Sequence, residues 1–458
     1  MKADWKRVLI HMTVILAGSA LLGTLLLTLV FCIPTERIKG HVAESVDRVL
    51  CGEQPDDNAF VKHIRQHKES YTDSIIVQYS FEKIPGKNAF EHAMWAWHYD
   101  LEEEIWAAED SLRAVLAGAD TSEMHLREYS RYWHGYLLYI KPLLLLISWE
   151  QLVWLELVLE LILLAAVVVT AFRKKCPGVA VAVAAGLVFM KPELMMVSLT
   201  MSVCLIIMLA AVLVLLLRGE WLREKGYFPE FFLCIGILTA YFDFLTYPVA
   251  TLGFPLCVYF LISERERMFP AVKRIVGYSF CWSVGYAGMW ASKWVIADVT
   301  LGTGTIKDAL WNVLGRTEAI GGRPRLNGGR YVISLNFQEY DSRLYAIAAG
   351  VLAFLVLGAL VWALSRQLPV KQLLETVLPF LVIAAIPFAW IVVVQHHSAL
   401  HARFTFRILG VAAMALCCMG LQVGRLCIQK TEKSCKYCQL NKNIWEKILQ
   451  MLKDRVII

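Results

Sequence analysis

The segment QHHSALHARFTFR, residues 395–407, places three histidines and two arginines within thirteen positions. Arg403 and Arg407 are four apart, so on a helix they share a face and suit two oxygens of one phosphate or diphosphate. His397 and His401 have the same spacing. It allows chelation of a divalent metal with His396 or a carboxylate as third ligand, hydrogen bonding to a lipid headgroup or sugar, or plain interfacial packing. No HExxH motif accompanies them, so the sequence fixes neither a metal site nor a cofactor.

Three further stretches carry ionisable groups among aromatics: YSRYWHGYLLYIKP with Arg131, His134 and Lys141, TAYFDFLTYP with Asp243, and MWASKW with Lys293. Each reads either as a cation or acid aimed at a headgroup or as an interfacial anchor that snorkels to water. Asp73, in Ser70-Tyr71-Thr72-Asp73-Ser74, is a candidate general base or a helix cap, and Glu36 and Glu44 are rival carboxylates. Glu156 and Glu160, one helical turn apart in WLELVLEL, point to a different chemistry. Paired carboxylates inside a membrane span suit proton or cation relay, unless a neighbouring Arg or Lys neutralises them.

These groups need elements to hold them. Of 458 residues, 58% are apolar and 18% charged, with a formal net charge of +6; soluble domains carry about 25% charged residues. Lipid is therefore the main solvent, and most soluble enzyme scaffolds are excluded. Ten apolar runs are long enough to be candidate spans: 8–33, 151–172, 178–190, 194–217, 228–245, 249–262, 275–297, 344–364, 373–394 and 408–428. Two of them, 178–190 and 249–262, are short and lie beside prolines, so broken or re-entrant helices are alternatives there. The fold class is an all-α polytopic membrane protein.

Lys and Arg concentrate in alternate connections, which predicts that both termini are cytoplasmic. Residues 1–33 then form the N-terminus and first span, 34–135 an extracytoplasmic, mainly helical domain, 136–428 the bundle, and 429–458 a basic cytoplasmic tail. The outer segment 34–135 carries 19 acidic against 11 basic residues, a net of −8. Within it, Ala89 to Leu116 has apolar residues every three or four positions and predicts one amphipathic helix. The connection 302–343 is basic although it falls outside, with Lys307, Arg316, Arg323, Arg325, Arg330 and Arg343, and reads as a lid or a solvated loop. Most cysteines sit in apolar runs as packing residues, Cys51 is alone in the outer segment, and the pair Cys435 and Cys438 supplies half a zinc site at most.

One span, a long acidic outer loop, about ten spans and a basic, histidine-rich outer rim together resemble the GT-C superfamily of membrane glycosyltransferases. The stretches YSRYWHGYLLYIKPLL, YFDFLTYP, MWASKW and HHSALHARFTFR are also similar to stretches in polytopic membrane proteins of Gram-positive gut bacteria. The resemblance implies a bacterial cell-membrane enzyme that moves a sugar from a polyprenyl-phosphate carrier to an envelope glycan or polymer on the outer face. It also implies that Asp73, or failing it Asp243, activates the acceptor while Arg131, His134, Lys293, His397, His401, Arg403 and Arg407 hold the carrier. Its partners would be that lipid-linked sugar, membrane lipid and the acceptor, with no nucleic acid. The rival expectation is a transporter or flippase for a lipid-linked saccharide or related anion, working through Glu156 and Glu160.

Overall fold

The computed structural model describes residues 5–50, 58–102, 107–322 and 324–434. Cys51, Arg323, the Cys435 and Cys438 pair and most of the basic tail lie outside the described residues. The chain begins with α1 (Trp5–Phe31) and enters a cap built from α2 (Glu36–Leu50), α3 (Ala59–His67), α4 (Tyr71–Phe81), α5 (Ala89–Trp95), β1 (Trp97–Asp100), α6 (Ala108–Leu116) and β2 (His125–Glu128).

The cap departs from the predicted single helix over 89–116. A capping box between Asn88 and Glu91 starts α5, and Ala96, at φ 52°, ends it in the left-handed region. The chain then turns extended, and β1 pairs antiparallel with β2 from Trp97 opposite Glu128 to Asp100 opposite His125. Long-range bonds outweigh the local helical periodicity here. The Gln78 carboxamide accepts from the Tyr99 amide (2.7 Å), and buried Asp100 accepts from Arg127 Nε (2.9 Å) and Ser111 Oγ (2.9 Å).

The bundle follows with α7 (Leu137–Leu144), α8 (Trp149–Arg173), α9 (Gly178–Val188), α10 (Pro192–Met195), α11 (Leu199–Lys225), α12 (Phe228–Phe242), α13 (Val249–Ile262) and α14 (Met268–Leu301). After it come α15 (Thr305–Thr317), α16 (Arg325–Gln338), α17 (Arg343–Ser365), α18 (Val370–Val393), α19 (Gln395–Leu400), α20 (Ala402–Thr405) and α21 (Leu409–Ser434). Each apolar run overlaps a helix, but 194–217 is interrupted between α10 and α11. Among the described residues six stretches are long and apolar enough to cross a membrane: α1, α8, α11, α17, α18 and the run from Ala402 to Thr431. The helices α9, α12 and α13 are shorter, at 11, 15 and 14 residues. The protein is thus an all-α, multi-pass membrane protein with a cap that contains a small sheet.

Close packing holds the bundle together. At the crossing of α12 and α14, a Cβ on Gly236 would lie 2.1 Å from the Trp282 carbonyl oxygen, and one on Gly285 would lie 2.2 Å from that of Leu233. Only hydrogen fits between these backbones, which is how small residues let helices associate in lipid. Two buried lysines fasten the cap to the bundle. Lys141 Nζ donates to the Ser80 carbonyl (2.6 Å) and Lys293 Nζ to the Ala93 carbonyl (2.6 Å), placing an amine donor at the C-terminal end of each of α4 and α5. The connection 302–343 is neither open nor irregular: α15 packs on α14 and α19, and α16 on α18 and α19.

Candidate functional site

A cavity of about 700 Å³ lies between the cap and the bundle. The cap contributes Glu69, Tyr71, Thr72 and Tyr79 from α4 and the segment before it, His98 and Asp100 from β1, and Arg127 and Glu128 from β2. The loop that follows adds Tyr129, Arg131 and Tyr132. From the bundle come Phe244 and Leu245 after α12, Arg316 at the end of α15, and His397, Leu400, His401, Arg403 and Phe404 around α19 and α20. Four guanidinium groups thus converge with three histidines, four tyrosines and three carboxylates.

The four arginines are not equivalent. Arg127 is engaged by Asp100 and by the Glu102 carbonyl (2.6 Å). Arg131 bridges to Asp308 (2.7 Å) and lies over the Tyr129 ring, 4.9 Å from its centroid. Arg316 stands over the Tyr132 ring at 5.7 Å. Neither Arg316 nor Arg403 makes an ion pair among the described residues. Tyr129 and Tyr132 stack with centroids 5.1 Å apart, so the two cations over them share one aromatic floor. Arg316 has the Tyr132 hydroxyl as a neighbour but no carboxylate among the described residues, an arrangement an oxyanion would complete.

The histidines are neutral members of the wall. Burial first, and then the charge of Arg316, lowers His401 to about 4, and burial lowers His98 to about 4 as well. His397 is driven well below its ordinary value by burial and by the neighbouring His401. Its Nε2 meets the carbonyl of Leu245 (3.1 Å), a residue held at φ 64°, and its ring lies 4.7 Å from that of His401. Among the described residues no group of three or more His, Cys, Asp or Glu is placed to hold a metal ion.

Of the residues singled out from sequence, Arg131, His397, His401 and Arg403 line the cavity, whereas Asp73, Asp243, His134, Lys293 and Arg407 do not. Asp73 is 3% exposed and caps α11, accepting from the amides of Leu199 (3.0 Å) and Thr200 (2.8 Å) and from the hydroxyls of Thr200 (2.6 Å) and Ser198 (3.2 Å). This is the helix-cap role that the sequence offered for it beside that of a base. Asp243 is likewise occupied, accepting from the Thr246 amide (3.1 Å) and hydroxyl.

His134, at φ 54°, ties the Tyr136 hydroxyl (2.6 Å) to the Tyr129 carbonyl (2.9 Å) and so shapes the loop beneath the stacked tyrosines. Its neighbour Gly135 is required there, because a Cβ would lie 2.3 Å from the Tyr241 ring. Lys293 is fully buried against Trp133, 5.5 Å from the ring centroid, and Arg407 is turned onto the Arg403 carbonyl and the Phe406 ring.

The carboxylate that the Asp73 segment does present to the cavity is Glu69. It accepts from the Thr72 amide (2.8 Å) at the start of α4 and feels the charges of Arg407 and Arg403, while burial, the larger effect, raises it above the ordinary glutamate value. Sequence reading missed Glu69 because the acidic and hydroxyl residues Ser70, Tyr71, Thr72, Asp73 and Ser74 follow it in the same short stretch. Arg316 was visible as one of the unexpected cations of the connection 302–343, but nothing local marked it apart from the others. No family model, no curated protein and no solved structure matches this chain.

Proposed function

We propose that this protein is a membrane glycosyltransferase of GT-C type, moving a sugar from a polyprenyl-phosphate carrier to an envelope acceptor. On this reading about ten segments lie in or across a bacterial cell membrane, both termini are cytoplasmic and the cap faces outward. The observation that supports it is the cavity under the cap, lined by Arg316 and Arg403, which make no ion pair among the described residues, and by the half-buried carboxylate of Glu69.

In the reaction, Glu69 takes the proton of the acceptor hydroxyl as its oxygen bonds to the anomeric carbon. The bond from that carbon to the carrier phosphate breaks, and the phosphate leaves with the electron pair. Charge growing on the leaving oxygens is met by Arg316 and Arg403, with Arg131 held in place by Asp308. A raised Glu69 suits a base that must be regenerated near neutral pH. The neutral histidines donate or accept hydrogen bonds at sugar hydroxyls.

The test is transfer from a radiolabelled polyprenyl-phosphate hexose to envelope fragments by the purified protein. Glu69→Gln should abolish transfer while leaving carrier binding intact. Full transfer by that variant would remove Glu69 as the base and with it this mechanism.

A further inference from the structure

Two carboxylates deep in the bundle take no part in the cavity under the cap. Glu156 and Glu160 lie one turn apart on α8, 4% and 0% exposed, on the face that packs against α11. Ser202 Oγ donates to Glu156 Oε2 (2.8 Å), but Glu156 Oε1 and both oxygens of Glu160 have no hydrogen-bond partner among the described residues. No Lys, Arg or His forms an ion pair with either among those residues. Holding uncompensated charge in such a place costs several kcal/mol, and two carboxylates one turn apart repel each other as well.

Beside them is a second cavity, about 290 Å³, bounded by α7, α8, α11 and α12 and reached by Glu156 and Tyr139. The Tyr139 hydroxyl faces Glu156 and makes no other hydrogen bond among the described residues. The rest of its lining is apolar, Glu156 and Tyr139 being the only polar residues among those that line it. Among the described residues the basic groups of the elements packed on α8 form no ion pair with these glutamates: Arg37 and Lys39 on α2 make none to them, and Lys141 on α7 is spent on the Ser80 carbonyl. On α2, His41 is spent on the Leu144 carbonyl (2.8 Å) and Arg48 on Glu150 (2.6 Å), and α9 carries no titratable side chain.

We propose that Glu156, Glu160, Ser202 and Tyr139 form a binding site for one monovalent cation, a proton or a sodium ion, inside the bundle. Two carboxylates give too few anionic ligands for a tightly held divalent ion, while one positive charge removes their mutual repulsion. The site is independent of the reaction proposed for the cavity under the cap. It does have a path to that cavity. Ser202 lies one turn along α11 from Ser198, whose hydroxyl donates to Asp73, and Thr72 beside Asp73 lines the upper cavity. Occupancy at Glu156 therefore acts on the same first turn of α11 that Asp73 caps.

The experiment reconstitutes the full-length protein in phosphatidylcholine vesicles and treats it with dicyclohexylcarbodiimide, an apolar reagent for un-ionised carboxyl groups, followed by peptide mass spectrometry. An adduct is expected at Glu156 or Glu160 and is removed by E156Q or E160Q. If the ion is sodium, NaCl protects against labelling several-fold where choline chloride does not. If it is a proton, labelling falls several-fold as the pH is raised from about 6 to about 9 and NaCl has no effect. The melting temperature of the wild type should follow the same ion, and that response should vanish in the double variant E156Q/E160Q, whose side chains keep their volume. Absence of any adduct on either glutamate, or identical responses of wild type and double variant to salt and pH, overturns the proposal.

Discussion

Replacing Arg316 by Ala isolates the anion-binding argument. Its guanidinium lines the cavity and lies over Tyr132 without a carboxylate partner among the described residues, so removing it strands no buried acid. A charge-assisted hydrogen bond to a phosphate oxygen is worth about 1.5–3 kcal/mol, which corresponds to a roughly 10- to 150-fold weaker Kd. Arg127→Ala should behave differently. It leaves Asp100, 1% exposed, without its cation, so the loss should fall on thermal stability more than on affinity. Calorimetric titration of the detergent-solubilised protein with inorganic diphosphate, paired with melting curves, separates the two effects. Arg316→Lys should recover part of the affinity, because it restores the charge but not the planar fork. If Arg316→Ala binds diphosphate within about twofold of the wild type at low ionic strength, the cavity is not the anion site.

Asp73→Asn should destabilise by about 2–4 kcal/mol, combining a weakened cap with a buried donor left facing an amide, and should lower the melting temperature together with any activity. Lost transfer at an unchanged melting temperature would instead return Asp73 to the chemistry. Gly236→Ala should cost about 1–3 kcal/mol or more by forcing α12 from α14, and an unaltered melting curve would refute that crossing. The pH profile follows from buried groups outside the spans. Burial lowers His98 and His401 to about 4 and His134 to about 3, so the unfolded chain binds their protons first and stability falls as pH drops from about 6.5 towards 4. Burial raises Asp73 to about 7, which works the other way by favouring the folded state as pH falls through the same window. Burial also lowers His92 and His397 and raises Glu69 and Glu82, so five histidines stand against three carboxyls and the net loss is about 3 kcal/mol per pH unit at most, measurable as a falling melting temperature. A flat or rising profile between those limits would show that the histidines are not buried in neutral form.

Part of the site was legible because membrane topology gathers residues by depth. Arg131 and His397 are far apart in sequence, yet each lies at the end of an apolar run, and both reach the same cavity. Direction was not legible. Arg131 meets Asp308, 177 positions away, and His397 meets Leu245, 152 positions away, so no window of neighbours reveals either contact. The helix predicted over 89–116 failed for the same reason, since Gln78 and Arg127 capture Tyr99 and Asp100 from outside that stretch.

The sequence by itself determined that this is a helical, multi-pass membrane protein, because transfer into lipid is a sum over local residues that needs no knowledge of the fold. It also marked the acids and cations whose presence at an apolar boundary calls for a partner. Only the tertiary structure decided the partners: it gave Asp73 to a helix end, set Lys293 on a backbone carbonyl, brought Glu69 and Arg316 to the cavity, and left Glu156 and Glu160 facing each other's charge. A hydrogen bond or ion pair forms within a few ångströms, and which groups come that close depends on packing between segments far apart along the chain.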